Sequence, residues 1–302
     1  MLKDSNNKHT LRSLQSNILF VAIVELIIYN GGLFIKYAVQ ASINPFLPLV
    51  GEEFELYYNA EFWIIIPIIL TLIYMRIFCP EALYKFTEGS LTRKLRSLGL
   101  GLLLGAAVML FLIFLSAVSG SVIYSYQSFS FLVIPLIFFV FIQCSAEEML
   151  LRGYVPAVLD PEHRYDAVAF VSGSLFIFHH IFNMNSLGFS TLFCLNVFLL
   201  GVWFYFLVKL EGNFWISCGI HTAWNYIQIF IIGVPGNGSS YPVSVIGGTN
   251  TASTFFFDYV YGLEGSLCTT FVVAFLILIT LYLLKRKETR LSAQNGLSDE
   301  SK

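Results

Sequence analysis

Eight apolar runs of about 20 residues constrain this chain more than any other feature, because a run of that length crosses a bilayer as a helix. They lie at roughly 17–38, 61–79, 98–119, 129–152, 166–185, 188–208, 214–233 and 264–284. Charged residues make up only 12% of the chain, where a soluble domain carries about 25%. Mean hydropathy is +0.74. Lipid must therefore be the solvent for most of the chain. The expected fold is an all-α polytopic membrane protein with about eight transmembrane helices.

Charge tests that count. Lys3, Lys8 and Arg12 precede the first run, and Lys85, Arg93, Lys94 and Arg96 lie between the second and third. His163 with Arg164, then Lys209, then Lys285, Arg286, Lys287 and Arg290 fall on the same side in an alternating scheme. The opposite side holds Lys36 at most and the acidic "GEEFE" at 51–55. Positive-inside weighting puts both termini in the cytoplasm. The first run is too long for a signal-peptide core and lacks a small-residue cleavage site, so an uncleaved N-terminus is expected. The net charge of −2 says nothing about partners, and no basic cluster resembles a nucleic-acid footprint.

This organisation divides the chain into a cytoplasmic tail (1–16), N-terminal helices with an amphipathic cytoplasmic segment (17–127), a core (128–232), an extracytoplasmic loop (233–263), a last helix (264–284) and a disordered cytoplasmic tail (285–302). The stretch 80–99 is expected to lie at the interface, and the Gly-, Pro- and Ser-rich stretch 234–254 to form an irregular loop. Gly101 and Gly105, four apart, form a small-residue face suited to close helix contact. Cys79, Cys144, Cys194, Cys218 and Cys268 all sit in or beside apolar runs, where cysteine behaves as a small hydrophobe. An odd count argues against a disulfide framework.

Against this background, ionisable groups in the runs require an explanation, since charge near the bilayer interior is costly and tends to be functional. In "QCSAEEMLLRGYV", Glu148 and Arg152 are four apart and share a helix face, acid before base. Glu147 points about 100° away, so the two glutamates take different roles. Phe176 and His180 are four apart in "LFIFHHIFN", with His179 rotated off that face, Asn183 one turn on and His180 deepest. "GIHTAWNY" sets His221 and Asn225 four apart. At 1.5 Å per residue, Glu147 and His221 come out about 12 Å deep, Asn225 about 18 Å and His180 about 22 Å. Each taken alone could be a packing residue: the Glu148–Arg152 pair a structural clamp, an intramembrane His a satisfied donor, Cys218 inert. A carboxylate, two imidazoles and an amide on three helices are harder to explain as packing.

That set suits amide hydrolysis. A carboxylate beside an imidazole in a partly dehydrated cavity can polarise water, since desolvation makes a carboxylate a better base. An imidazole N–H and an amide NH₂ can donate to a developing oxyanion. The chain lacks a serine-nucleophile motif and the HExxH zinc-protease helix.

Read as EExxxR, FxxxH and HxxxN in this order, "EEMLLRG", "FIFHH" and "HTAWN" resemble the motifs of the CPBP intramembrane endopeptidases. That family includes the CAAX prenyl-protein proteases and the Abi and bacteriocin self-immunity proteins. "RGY", Asn183 and "GNFW" before His221 add to the resemblance, which covers about residues 128–232. It implies Glu147 as general base and His180 as its partner in holding water. His221 and Asn225 would form the oxyanion hole, Glu148 with Arg152 would fix the helix, and Phe176 would wall the site. Both a metal-free glutamate mechanism and a zinc site on Glu147, His180 and His221 are compatible with these residues. The metal-free form is favoured, because Glu147 is also wanted as base and His221 pairs with Asn225.

The expected partners are the bilayer and a protein or peptide substrate, with a prenyl group as one option. The expected location is a bacterial plasma membrane, crossed several times. A non-catalytic membrane immunity or binding protein on the same scaffold is the alternative. A proton-coupled transporter ranks last, because no inverted repeat is seen.

Overall fold

The computed structural model describes residues 17–43, 45, 65–160, 164–181, 188–234, 244–250 and 252–299. The acidic stretch at 51–55, His163, Asn183 and the N-terminal tail lie outside the described residues.

Among the described residues, helices occupy every apolar run named above: α1 (Ile18–Ile43), α2 (Ile65–Phe78), α3 (Pro80–Thr87), α4 (Leu91–Val118), α5 (Val133–Glu148), α6 (Val155–Leu159), α7 (Tyr165–His179), α8 (Thr191–Glu211), α9 (Trp215–Tyr226) and α10 (Leu267–Asp299). Five helical spans are long and apolar enough to cross a membrane: Ile18–Ile43, Leu91–Val118, Val133–Leu159, Thr191–Glu211 and Leu267–Gln294. α2 and α7 are apolar but shorter. Large apolar side chains such as Phe34, Leu103, Phe114, Phe138 and Phe271 are exposed on the outside of the bundle. On a water-soluble protein they would form an untenable surface, whereas lipid solvates them. The protein is an integral, multi-pass, mostly helical membrane protein.

Three local expectations change. The fold is not wholly helical: β1 (Ile123–Tyr126) pairs antiparallel with β2 (Ile246–Thr249), Ile123 opposite Thr249 and Tyr126 opposite Ile246. Part of the stretch expected as an irregular loop is therefore a strand, because "IYSY" offers it a β-favouring partner with open backbone groups. The basic stretch at 91–96 is not a separate interfacial segment. Ser90 caps α4, accepting a hydrogen bond from the Arg93 backbone N–H at 3.3 Å, so these residues form its first turns. Finally, α10 runs to Asp299, past Lys287, where a disordered tail is expected. Lys287 Nζ donates to the Leu210 carbonyl at 2.6 Å, which ties the polar extension to the end of α8. The same end of the bundle gathers Arg93, whose guanidinium donates to the Glu211 carbonyl at 2.9 Å, and Lys209, paired with Asp160 at 2.9 Å.

The glycine face expected on α4 is a close helix contact. A Cβ on Gly101 would stand 2.1 Å from the Ile216 carbonyl oxygen, and one on Gly105 would stand 2.6 Å from that of Ile220. Gly219 of α9 reciprocates: its Cβ would lie 2.3 Å from the Leu98 carbonyl oxygen. Backbone thus meets backbone, and α9 is held against α4 at a distance that no side chain permits. α9 in turn packs on α5, and α8 packs on α7, α9 and α10.

Candidate active site

The helix carrying Glu147, Glu148 and Arg152 is not regular. After α5 the backbone widens into a π-helical segment, Met149–Tyr154, before α6. Pro156 follows two residues later; its ring clashes with the carbonyl four residues back and it has no N–H to donate. Widening the turn relieves that clash, and such turns recur at functional sites. Arg152 sits inside the widened turn, 2% exposed.

Arg152 is held from three sides. Its Nη1 donates to Glu148 Oε1 at 3.1 Å, with both side chains fully buried. Its guanidinium stacks over the Phe176 ring at 4.5 Å and lies 5.3 Å from the Phe204 ring. Gly201 makes the room: a Cβ there would be 3.0 Å from Arg152 Nη2 and 2.8 Å from the Cα of Gly173. Gly201 thus leaves room for the cation, while Gly173, where a Cβ would stand 2.9 Å from the Phe198 carbonyl oxygen, lets the two helices approach.

Glu148 does more than clamp its own helix. The same Oε1 lies 3.0 Å from His221 Nδ1, which donates to it. Glu148 thus joins the first motif to the third across 73 residues of chain. This contact fixes the ring orientation of His221 and leaves Nε2 as its other edge.

His180 caps the C-terminal end of α7 with φ −97° and ψ −1°, and its N–H reaches back to the Ile177 carbonyl at 2.9 Å. This sparsely populated backbone region is one where active-site residues are often found. The Phe176 carbonyl is taken up by His180 Nδ1, which donates to it at 2.8 Å. The Phe176 ring meets the His180 ring edge-on at 4.8 Å and the His221 ring at 5.5 Å. Phe176 thus stands between the two imidazoles. Glu147 is buried at 4% exposure and lies within electrostatic range of His221 and Arg152. Asn225, also buried, points its amide at Cys144 Sγ, 3.6 Å away.

Some residues that matter here carry no motif. Cys144 lies one turn before Glu147 and receives the Asn225 amide. Phe204 and Gly201 complete the Arg152 slot. Glu25 of α1 is fully buried with Oε1 at 2.5 Å from His179 Nε2. Tyr29 stacks flat on that imidazole, centroids 3.5 Å apart and planes 1° from parallel. Glu25 Oε2 and His179 Nδ1 are buried with no hydrogen-bond partner among the described residues, each at a cost of about 1–3 kcal/mol. Cys218 is fully buried and lies within electrostatic range of Arg152 and Glu148.

Among the described residues no group of three or more His, Cys, Asp or Glu side chains is disposed to hold a metal ion. The Nδ1 atoms of His180 and His221 are bonded to a carbonyl and a carboxylate, a support that a histidine ligating a metal through Nε2 also carries.

A cavity of about 580 Å³ opens beside Arg152 at the basic end of the bundle, lined among others by Gly153, Pro156, Asp160, Lys209 and Trp215. It offers a route from the polar end toward the first motif.

Residues 129–227 match the family model described as type II CAAX prenyl endopeptidase Rce1-like. The match covers all three motifs and bears out the resemblance to the CPBP/CAAX proteases. No curated protein matches the chain, and no solved structure does.

Proposed function

We propose, on the premise that residues 129–227 are a CAAX-protease segment, that this protein is an intramembrane endopeptidase. It hydrolyses a peptide bond of a membrane-associated protein or peptide. Glu147 takes a proton from a water held jointly with His180, and the water oxygen attacks the scissile carbonyl. The carbonyl oxygen becomes an oxyanion, stabilised by the Nε2 edge of His221 and the amide of Asn225. His221 donates there from Nε2 as the imidazolium, with Nδ1 held on Glu148. Glu147 then returns its proton to the leaving nitrogen, so that one peptide bond and one water become a carboxylic acid and an amine. Arg152 holds Glu148 aimed at His221.

The observation that carries this reading is the shared Glu148 Oε1, bonded to Arg152 and to His221 at 3.1 and 3.0 Å. Packing alone does not call for a carboxylate that links the acid motif to the third-motif imidazole. The chain is read as crossing the membrane eight times with both termini cytoplasmic. The gathering of Arg93, Lys209 and Lys287 at one end of the bundle supports that orientation. It places the cavity beside Arg152 on the cytoplasmic side, where a soluble tail of a membrane-anchored substrate arrives. A prenyl group is the anchor that the family description suggests.

The test is turnover of a fluorogenic prenylated peptide by the purified protein in proteoliposomes. Glu147→Ala and His180→Ala should each abolish release while the variants stay inserted and keep the parental melting profile. Parental rates in both variants would refute the mechanism. Comparing the same peptide with and without its prenyl group decides the substrate class.

A further inference from the structure

α1 lies wholly outside the family match, yet it reaches the residue next to His180. Its contact is polar: the buried carboxylate of Glu25 accepts from His179 Nε2 at 2.5 Å, and Tyr29, one turn along α1, stacks on the same ring. His179 is the last residue of α7, and the peptide bond after it leads into His180.

The orientation of His180 depends on this last turn. Its ring is held by the carbonyl of Phe176, and its backbone is held by the carbonyl of Ile177. Both of these hydrogen bonds belong to α7 itself, so whatever sets the final turn of α7 also bears on the imidazole, which Phe193 of α8 meets at 6.0 Å. Laterally, that turn is gripped through His179. One hydrogen bond and one parallel stack leave the His179 ring a single orientation and prevent the turn from rotating about the helix axis. Glu25 also lies within electrostatic range of Arg152.

An apolar contact could join α1 to α7 without burying a carboxylate. Glu25 Oε2 and His179 Nδ1 have no hydrogen-bond partner among the described residues, so for adhesion alone leucine against phenylalanine would serve better. What the polar pair adds is direction. We propose that Glu25 is a positioning residue: through His179 it fixes the end of α7 and thereby the placing of the His180 imidazole. The role of His180 in turnover rests on the hydrolytic function proposed above.

The test uses the full chain in proteoliposomes and two variants. Glu25→Leu combined with His179→Phe replaces the pair by an apolar contact and removes both unpartnered atoms. It should fold and melt at or above the parental temperature, with kcat reduced about tenfold or more and KM unchanged. Glu25→Gln, whose amide oxygen still accepts from His179, should retain most of the parental kcat. In parallel, the ring nitrogens of the five histidines are followed by NMR after selective ¹⁵N labelling. The His180 signal should move in the double variant and return in Glu25→Gln. A double variant with parental kcat and an unmoved His180 signal would overturn the proposal and leave the pair a simple clamp. The NMR arm needs no turnover, so failure of the hydrolytic reading, seen as an inert parent protein, is separable from failure of the positioning role.

Discussion

Substituting Gly101 by alanine tests whether the backbone contact between α4 and α9 sets the site. The new Cβ would stand 2.1 Å from the carbonyl oxygen of Ile216, whereas carbon–oxygen contacts of this kind settle at about 3.3–3.6 Å. The obstacle is backbone, which no rotamer change can clear, so α9 must withdraw by about 1.2 Å to restore the lower limit. His221 lies five residues further along α9, its Nδ1 3.0 Å from Glu148 Oε1, and a withdrawal of that size breaks the bond. Displacements of about 1 Å in a catalytic constellation cost on the order of 10²-fold in rate. Overpacking also costs about 1–3 kcal/mol of stability. The assay is kcat/KM on the fluorogenic peptide in proteoliposomes, with thermal melting measured alongside. Gly99→Ala is the matched control, since a Cβ at that position meets nothing within 4 Å, and it should behave as the parent does. If Gly101→Ala keeps the parental kcat/KM, the contact does not govern the position of His221.

Further outcomes follow from other contacts. Arg152→Met should lower stability by about 3–5 kcal/mol in thermal or denaturant unfolding, because it leaves the buried Glu148 without its cation. Asn196 donates to the carbonyls of Glu264 and Ser266 at 2.7 and 2.9 Å and accepts from Thr270 at 2.6 Å. Asn196→Leu should therefore cost a few kcal/mol (about 1–3 per unsatisfied group) and lower the melting temperature, with kcat at the parental level. Prolonged treatment with EDTA should leave the cleavage rate unchanged, and elemental analysis of active protein should find metal well below one ion per chain. A rate lost to chelation and restored by zinc would reverse the metal-free reading.

Much of this protein was legible before any coordinates. Hydropathy marks the apolar runs in which the five membrane-length helices lie, because a bilayer admits only long apolar stretches whose backbone groups are satisfied internally. The four-residue spacings of Glu148 with Arg152, Phe176 with His180 and His221 with Asn225 placed each pair on one helix face, a consequence of helical pitch. The Gly101–Gly105 face announced a close packing contact. Local sequence also contains the Pro156 that widens the turn around Arg152, although its effect on that turn was not anticipated.

Relations between segments distant in the chain were decided only by tertiary structure. Nothing near Glu148 shows that its carboxylate reaches His221, and nothing near Glu25 shows that it meets His179, 154 residues away. Gly173 and Gly201 gain their meaning only when α7 and α8 face each other, the first letting the helices approach and the second leaving room for a guanidinium. The strand at 246–249 and the helical extension to Asp299 likewise depend on partners, "IYSY" at 123–126 in one case and the Leu210 carbonyl in the other. Periodicity records which way a side chain leaves its own helix. Which groups it meets depends on how the helices are stacked, and that is set by backbone contacts such as Gly101 against Ile216.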